Sequence, residues 1–429
     1  MNKRQTFTTV LGKTVQQVAR LRGGGSALPG LFVEKIDPDF VARTLKNLPR
    51  GIAIISGTNG KTTTTKMVVE LLEGQGLKVF TNRTGSNFTR GVAAALLGEV
   101  DAYGNLDADI AVLELDEAYA VHFARAINPD YCLLLNVMRD QLDRFGEIDN
   151  TADLLHTVAK NTTKCAVVNR DDPRLGGYEF VRSLKIPLRS FGVHPKYLQL
   201  FPSDDSLRGG EQNAAKLYAD DTSLEDFSER GATIAFGGEN YAVQVGLRGV
   251  YNLQNATGAI ALVRVIMGGE LDVKQMLDSL SQITPAFGRG EQITVGGQPC
   301  ELVLVKNPAG FRLSLASFDP DGWATMIAIN DNYADGRDMS WLWDVDFDSL
   351  RGQGVAELFG VRAYDMALRL QYDLVEVARV EPDIAAALKQ FINTDSGKPK
   401  RIYCTYTAML RLRRELANYT TVEEIKWNR

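Results

Sequence analysis

A glycine-containing loop directly after an apolar strand is the feature that most constrains the fold of this chain. The run GIAIIS is short and continuously apolar, which is typical of a strand buried on both faces of a parallel sheet. It leads into GTNGKTTT, and helical spacing follows as far as a glycine stop at EGQG. The backbone N–H groups of such a turn point toward an anion at the helix N-terminus. The pattern therefore predicts a strand–loop–helix unit that binds phosphate.

The loop is shorter than the general phosphate-binding pattern, in which four residues separate the first glycine from Gly-Lys-Ser/Thr. We expect Lys61 to neutralise the β- and γ-phosphate oxygens of a nucleotide and the Thr62 hydroxyl to reach Mg²⁺. A glycine turn with an unrelated lysine is the alternative interpretation. The residues expected to contact the nucleotide here are consecutive: Gly57, Thr58, Asn59, Gly60, Lys61, Thr62 and Thr63.

A second candidate feature is the acidic segment AVLELDE, at the end of another apolar run. Glu114 lies near the end of a buried strand, where a carboxylate is costly unless it is paired or bound to a metal. Glu114 and Asp116 share a face if the strand continues, because alternate residues point to opposite sides. Carboxylate oxygens suit Mg²⁺. A solvated acidic turn explains Asp116 and Glu117 well but Glu114 poorly.

Strand and helix patterns alternate from residue 51 onward, which predicts a mostly parallel, doubly wound α/β sheet. We expect an N-terminal leader over 1–50, an ATP-binding central domain over 51–290 and a smaller α/β domain over 291–429. Within the central domain, 175–245 is interpreted as an inserted β-rich excursion. The segment ITPAFGRGEQI is interpreted as the linker between the two domains.

Composition excludes several functional classes. The net charge of −5 gives no general reason to expect nucleic acid binding. No apolar run approaches the roughly 18 residues of a membrane helix, and the cytoplasm is the expected location.

The leader is interpreted as a solvated basic helix followed by the turn RGGGSALPG, or as a segment drawn peripherally to an anionic membrane. Its basic residues all precede Glu34: Lys3, Arg4, Lys13, Arg20 and Arg22.

Metal chemistry based on cysteine or histidine is not expected. The cysteines have no CxxC spacing, and apolar or strand-like runs surround them, as is usual for small core residues. The three histidines are also far apart. We therefore predict neither a disulfide nor a zinc site. The residues concerned are Cys132, Cys165, Cys300 and Cys404 with His122, His156 and His194.

Five segments in order resemble the central domain of the Mur ligases: GTNGKTTT, LELDE, NVMRDQLDRFGEID, VVNRDDP and GVYNLQNATGA. The resemblance implies that ATP phosphorylates a carboxylate and that an amine attacks the resulting acyl phosphate. Lys61 and Thr62 then match the family's phosphate and Mg²⁺ groups, and Glu114 matches its Mg²⁺-binding glutamate. Asn252 and Asn255 fall at its adenine-side asparagines.

Other positions match the Mur ligases less closely. Asn169 and Asp172 match the family's NxDD segment, and Arg289 in FGRG is a candidate phosphate contact, with an ordinary surface arginine as the alternative. Gln141 stands where the amino-acid-adding ligases have histidine, in a segment that supports a second Mg²⁺. Because an amide oxygen coordinates Mg²⁺ weakly, the resemblance leaves that second metal open.

The segments KNPAGF and AINDNYADGRDMSWLWDVDF resemble the MurT subunits of lipid II isoglutaminyl synthase. An EF-hand interpretation of the second segment fails, because Tyr333 and Leu342 stand at ligand positions three and twelve. The resemblance implies a partner glutaminase of the GatD type, in a heterodimer or larger complex, that supplies ammonia. It assigns Asp338 as the aspartate of a triad completed by the partner's cysteine and histidine. The zinc ribbon of many MurT sequences has no cysteines here.

The resemblance thus implies amidation of the D-glutamate α-carboxylate of the lipid II stem peptide at the inner face of the membrane. Two alternatives remain. Another Mur-type ligase would add an amino acid and would leave DGRDMSWLWD unexplained. A nucleotide-sensing regulatory subunit would keep the ATP site without an acceptor pocket.

Overall fold

The computed structural model describes residues 3–21, 28–82, 89–139, 148–206, 220–228, 231–246, 249–284, 289–394 and 397–422. In this part of the chain, three helices precede the first strand: α1 (Lys3–Leu21), α2 (Leu28–Ile36) and α3 (Phe40–Leu45). The helical leader is confirmed. The predicted turn RGGGSALPG is wrong over its last residues, because α2 begins at Leu28. Pro29 lies in the first turn, where its missing N–H costs no hydrogen bond.

The central sheet contains nine described strands in the order β2-β3-β1-β4-β5-β6-β7-β8-β9. The pairs from β2 to β7 are parallel, and β7, β8 and β9 pair antiparallel. The strands are β1 (Gly51–Ser56), β2 (Val79–Thr81), β3 (Ile110–Glu114), β4 (Tyr131–Leu134), β5 (Cys165–Asn169), β6 (Leu188–Val193), β7 (Thr222–Ser228), β8 (Gly231–Phe236) and β9 (Glu239–Val243).

Helices cover both faces of this sheet, as the predicted doubly wound fold requires. Ala53 and Ile55 of β1 pack into a core with α4, α9 and α10, whereas Ile52 and Ile54 pack on the opposite side with α5, α6 and α7. The helices of this domain are α4 (Lys61–Gly74), α5 (Thr89–Glu99), α6 (Glu117–Ile127), α7 (Ile148–Asn161), α8 (Tyr178–Ser183), α9 (Val250–Met267) and α10 (Val273–Gln282). Short 3₁₀ turns span Pro195–Leu200 and Gly268–Glu270.

The β-rich character predicted for 175–245 is confirmed, but its described strands continue the central sheet and do not form a separate insertion. β6 pairs in parallel with β5, and β7, β8 and β9 extend the same sheet as an antiparallel meander. Helix α9 packs over this extension, with Gly258 placed close to the ring of Phe191. The mixed polarity of LRSFGV concealed a strand that is buried mainly at its carboxyl end.

The C-terminal domain is a second α/β unit whose five described strands follow the order β10-β11-β14-β12-β13. Only β10 and β11 are antiparallel. The elements are β10 (Arg289–Val295), β11 (Gln298–Leu304), α11 (Pro308–Ser317), β12 (Ala324–Ala328), β13 (Glu357–Phe359), α12 (Ala363–Tyr372), α13 (Ile384–Asn393), β14 (Lys400–Cys404) and α14 (Tyr406–Leu416), with 3₁₀ turns at Ser340–Asp344 and Asp348–Leu350.

The predicted linker ITPAFGRGEQI is wrong at its carboxyl end, because strand β10 begins at Arg289. A hairpin joins β10 to β11 through Gly296 and Gly297, whose φ angles are +59° and +79°. Both central residues of this turn have positive φ, a combination that glycine adopts without strain and that suits two-residue hairpins.

The four cysteines are buried, as predicted for core residues. Across the described ranges, no helix has both the length and the apolar character that crossing a bilayer requires.

Candidate active site

The phosphate-binding loop connects β1 to the N-terminus of α4. Gly57 and Gly60 have φ angles of +131° and +88°, which bring the chain sharply into the helix. A Cβ atom at Gly60 would lie 2.5 Å from the Asn255 side-chain oxygen, so α9 approaches the loop closely. The N–H groups of Thr58 and Asn59 donate to the backbone and side-chain oxygens of Asn136, at 3.0 and 2.8 Å. The loop is therefore held against the carboxyl end of β4.

Lys61 turns back across this loop. Its Nζ atom donates to the carbonyl oxygen of Gly57 at 2.6 Å and lies 3.2 Å from Asp116 Oδ1 and 3.5 Å from Glu117 Oε1. The ammonium is thus buried among its counter-charges at the start of α4. The interpretation of Glu117 as part of a solvated turn is wrong, because its exposed fraction is only 3%. β3 ends at Glu114, so strand alternation no longer applies to Asp116 and Glu117.

Thr62 and Glu114 meet at the carboxyl edge of the sheet. β3 lies beside β1 with Glu114 aligned to Ile55, and the Thr62 hydroxyl donates to Glu114 Oε1 at 2.7 Å. Asn82 fixes the Glu114 backbone from the other side by two hydrogen bonds, at 2.7 and 2.9 Å. Sequence analysis missed Asn82, although an asparagine directly after the apolar run of β2 signals a polar group at this edge.

A hydroxyl and a carboxylate in this arrangement fit a hard cation. Within the described part of the chain, no cluster of three or more histidine, cysteine, aspartate or glutamate side chains could hold a metal alone. Mg²⁺ commonly takes only one or two protein ligands and completes its octahedron with phosphate oxygens and water. The pair formed by Thr62 and Glu114, next to a helix N-terminus suited to phosphate, matches that requirement.

Asn136 is a further residue that sequence analysis missed. It lies two residues beyond the end of β4. Its side-chain amide donates to the carbonyl oxygen of Asn59 at 3.0 Å, and its side-chain oxygen accepts from Asn59 N–H. One side chain therefore fixes both polar backbone groups of Asn59. The signal in the sequence was an asparagine at the end of the apolar run YCLLLN.

Asn252 and Asn255 lie on the first turns of α9 and are buried. The Asn255 amide lies 3.4 Å from the Asn252 side-chain oxygen, and Asn255 lines a cleft between the loop and the C-terminal domain. Tyr251, beside them, packs against the core of that domain. The structure thus places Asn255 at the cleft beside the phosphate-binding loop, with the buried Asn252 next to it on α9.

Residues of the NxDD segment line the same cleft. Asp172 is buried and accepts hydrogen bonds from the N–H groups of Val137, Arg174 and Leu175, at 2.6, 2.9 and 3.2 Å. Burial raises the pKa of Asp172 to about 6. Asn169 lines the cleft nearby. The hydrogen bonds of Asp172 fix the loop that follows β4, which gives this residue a positioning role.

Asn307 joins the C-terminal domain to the phosphate-binding loop. Its side-chain oxygen accepts from Gly310 N–H at 2.8 Å and caps α11, while its amide donates to Asn59 Oδ1 at 2.8 Å. Pro308 occupies the first turn of α11, where no N–H is needed. Lys306 and Gly310 line the cleft. The KNPAGF segment therefore builds a helix cap that also contacts the nucleotide loop.

The acidic loop after β12 contains two aspartates in contrasting surroundings. Asp335 is buried and accepts from Thr407 N–H at 2.7 Å, at the start of α14. Burial raises the pKa of Asp335, and hydrogen bonds from Thr407 oppose this shift. Asp338 is exposed, and hydrogen bonds from the Ser340 hydroxyl and N–H hold its pKa below the usual range. Sequence analysis singled out Asp338 but missed the anchoring role of Asp335.

Lys61, Thr62 and Glu114 are thus brought together on the central domain, whereas Asp338 lies on a separate loop of the C-terminal domain. Arg289 begins β10, and its side chain lies outside the described residues, as does Gln141. Their predicted roles stay predictions.

Comparisons with known proteins agree with this arrangement. The Mur ligase middle domain model matches residues 55–263, and the MurT ligase C-terminal model matches residues 304–409. The crystal structure of MurF ligase from Thermotoga maritima in complex with ADP superposes with a TM-score of 0.67 at 17% identity, covering 91% of this chain and 83% of that one. The Mur ligase fold is therefore confirmed.

Two curated relatives match nearly end to end. The lipid II isoglutaminyl synthase (glutamine-hydrolyzing) subunit MurT of Streptococcus pneumoniae is 30% identical, covering 99% of this chain and 99% of the relative. The corresponding subunit of Staphylococcus aureus strain N315 is 29% identical, covering 90% of this chain and 92% of the relative. The chain therefore belongs to the MurT family of Mur-type ligases.

Proposed function

We propose that this chain is the ATP-dependent ligase subunit of a lipid II isoglutaminyl synthase and works with a glutaminase of the GatD type. The observation that carries the proposal is the coexistence of two sites. One is a nucleotide-phosphate site completed within the chain by Lys61, Thr62 and Glu114. The other is an exposed aspartate, Asp338, on a loop that the buried Asp335 bonds to Thr407 at the start of α14.

The chemistry assigned to the first site is activation of a carboxylate. Bound Mg-ATP supplies the phosphoryl group: the α-carboxylate of the D-glutamate residue in lipid II takes the γ-phosphoryl group, ADP leaves, and an acyl phosphate results. Ammonia then attacks the carbonyl carbon, and inorganic phosphate leaves as the amide forms. The N-terminus of α4 and Lys61 would hold the phosphates, and Thr62 and Glu114 would hold Mg²⁺. Their contribution is positioning and charge neutralisation.

The cysteines of the chain support a separate source of ammonia. A glutaminase nucleophile is a thiolate in a polar, accessible site. Burial raises the pKa of Cys132 and Cys300 to about 12 and that of Cys165 to about 11. Cys404 is buried in the core of the C-terminal domain. None of these thiols is suited to attack glutamine, so the nucleophile is assigned to a partner.

An exposed apolar stripe on the C-terminal domain supports docking of that partner. Tyr364, Leu368 and Tyr372 recur every four residues along α12 and are exposed. Trp343, on the segment that follows Asp338, packs edge-on against Tyr372 with ring centroids 5.1 Å apart. Aromatic groups in an exposed patch are typical of protein–protein interfaces.

The decisive experiment compares two sources of nitrogen. The chain is purified with the candidate glutaminase, and amidation of lipid II is measured with glutamine or with ammonium for wild type and Asp338→Asn. We expect glutamine-driven amidation to fall by about 10³- to 10⁴-fold, since the carboxylate of such a triad orients the imidazole. Ammonium-driven amidation should stay near wild type, because Asp338 lies outside the nucleotide site.

Asp346→Asn is the matched control, because Asp346 is an exposed aspartate of the same acidic segment and pairs with Arg312. It should retain both activities. Loss of ammonium-driven amidation in Asp338→Asn would contradict the assigned triad role. If wild type binds ATP but amidates with neither nitrogen source, the ligase proposal fails in favour of a nucleotide-sensing subunit.

A further inference from the structure

Helix α1 presents apolar side chains outward. Phe7, Val10 and Val18 are 62%, 53% and 44% exposed. Their spacing places all three on one side of the helix. Surface helices of globular proteins ordinarily show the reverse arrangement, with the apolar stripe against the core and polar residues toward solvent.

The opposite side of α1 is polar and is bonded to the rest of the leader and to the central domain. Gln5 Nε2 donates to Gly104 O at 2.7 Å, and the Thr8 hydroxyl donates to Asp37 Oδ2 at 3.0 Å. Lys13 Nζ and Gln16 Nε2 donate to backbone oxygens around α5, at 2.7 and 3.1 Å. These contacts fix the rotation of the helix, so the apolar side cannot turn inward without breaking them.

Close packing reinforces that orientation. A Cβ atom at Gly12 would lie 2.7 Å from a Leu97 methyl carbon and 2.9 Å from a Val33 methyl carbon. The small residue lets α1 lie directly on α2 and α5. The contacts of α1 with α2 and α5 therefore hold the apolar stripe in its outward orientation.

The charge of this segment identifies the class of surface that would cover the stripe. The chain has five basic residues before its first acidic residue, Glu34. Two of them, Lys3 and Arg4, are the first residues of α1, and Arg20 is its penultimate residue. An apolar stripe with basic residues at both ends is typical of a helix that lies in the interface of an anionic bilayer.

The contacts of α1 with α5 show how the helix is oriented relative to the carboxyl edge of the central sheet, which carries the phosphate site (the catalytic edge). Lys13 bonds at Val100 and Gln16 bonds at Ala94, so α1 runs antiparallel to α5. Helix α5 begins at Thr89, on the chain segment that follows β2, and β2 ends beside Asn82 and Glu114. The carboxyl end of α1 consequently points toward the edge of the sheet that carries the phosphate site.

We propose that α1 is a membrane-docking helix, with Phe7, Val10 and Val18 inserted at the surface of an anionic bilayer and the catalytic edge held beside it. Docking of this kind would present the ligase site to an acceptor embedded in the same bilayer. This binding requires neither nucleotide nor partner, and its test is independent of the proposed ligase activity.

The test is co-sedimentation of the full chain with vesicles, without ATP or glutamine. One set contains equal parts of phosphatidylglycerol and phosphatidylcholine, and a second contains phosphatidylcholine alone. We expect wild type to bind the anionic vesicles more tightly and to be released by salt. The double variant Phe7→Ser/Val10→Ser should bind at least about tenfold more weakly. Replacing Lys3 and Arg4 by glutamine should weaken binding about fivefold per residue.

Tyr178→Ser is the matched control, because Tyr178 is a highly exposed aromatic residue on α8 of the central domain. It should bind vesicles as wild type does. Thermal unfolding should be unchanged in Tyr178→Ser and in the double variant, because Phe7, Val10 and Tyr178 are exposed. Absence of binding by wild type, or equal binding by the double variant, would overturn the proposal. A double variant that instead loses self-association in solution would also overturn it, because a second copy would then cover the stripe.

Discussion

Two carboxylates of this chain are surrounded very differently: Glu114 is the last residue of β3 in the central sheet, and Asp338 lies on the loop that follows β12 in the C-terminal sheet. Glu114 is buried, bonded through its side chain to Thr62 and through its backbone to Asn82. Asp338 is exposed and is held by Ser340, two residues further along the same loop. The carboxyl edge of the central sheet (the first edge) is completed by residues of its own chain. The carboxyl edge of the C-terminal sheet (the second edge) presents an exposed carboxylate on a loop that Asp335 bonds to Thr407. A carboxylate of the second kind is suited to completing a site whose other members arrive on another protein.

The largest effect should follow from removing the Lys61 ammonium group at the first edge. Lys61→Met removes the ammonium that would face the phosphates and breaks its ion pairs with Asp116 and Glu117. We expect ligase turnover to fall by about 10²- to 10³-fold. The unfolding free energy should also fall, by about 3–5 kcal/mol, because breaking a buried ion pair leaves an uncompensated charge. Ammonium-driven amidation and denaturant unfolding measure the two effects.

Lys66→Met on the same helix is its control, since Lys66 bonds to Thr284 and pairs with Glu70 away from the loop. If both variants lose turnover equally, Lys61 has no special role toward phosphate.

A smaller effect should follow from Thr62→Val, which keeps the side-chain shape and removes the hydroxyl bonded to Glu114. We expect the Mg²⁺ concentration for half-maximal turnover to rise by about 10- to 100-fold, as for other lost metal-site groups. Thr65→Val is the control, because the Thr65 hydroxyl is buried on the same helix and makes no hydrogen bond. An unchanged Mg²⁺ requirement in Thr62→Val would show that the cation is held elsewhere.

The contact between the two domains can be tested at Asn307. Asn307→Ala removes both the cap of α11 and the hydrogen bond to Asn59. We expect a loss of about 1 kcal/mol in unfolding free energy from the cap, together with a several-fold weaker affinity for ATP. Asp383→Ala removes a comparable cap from α13 without touching the loop. Equal ATP affinity in the two variants would mean that the interdomain bond does not organise the nucleotide site.

The smallest effect concerns a carboxylate of the C-terminal sheet that belongs to neither edge. Burial raises the pKa of Glu357 on β13 to about 7, partly opposed by Arg379. Since the folded-state pKa lies above the unfolded value, Glu357 contributes stability that is present below about pH 4.5 and is lost as the pH rises through about 7. We expect Glu357→Gln to remove this part of the pH dependence, measured as unfolding free energy at pH 5 and pH 8. Parallel curves for wild type and variant would contradict the assignment.

Much of the first edge could be predicted from sequence because its residues are close to apolar runs. The spacing of Gly57, Gly60 and Lys61 after GIAIIS, and the placement of Glu114 at the end of another run, already indicated a phosphate and Mg²⁺ site. What could not be predicted is which distant residues complete it. Asn82, Asn136 and Asn307 come from three different strand ends, and their convergence depends on the order of the strands in the sheets.

The second edge was harder to interpret for a different reason. Asp335 and Asp338 are close in sequence and identical in type, so composition alone does not separate a buried anchor from an exposed group. The distinction depends on Thr407, more than seventy residues away, whose N–H reaches Asp335. The meander β7 to β9 was predicted only as an irregular β-rich stretch, because its strands are half polar and their apolar residues are buried partly against α9.

The edges of the large sheet also bear on how the chain behaves at high concentration. Among the described strands, β2 and β9 form the two margins, and they span only three and five residues. Glu239 adds a charge at one of them. Short, charged margins offer few unpaired backbone groups to another molecule and limit strand-to-strand aggregation. Self-association of the isolated subunit should therefore proceed through helix side chains, where single substitutions can suppress it, rather than through the backbone.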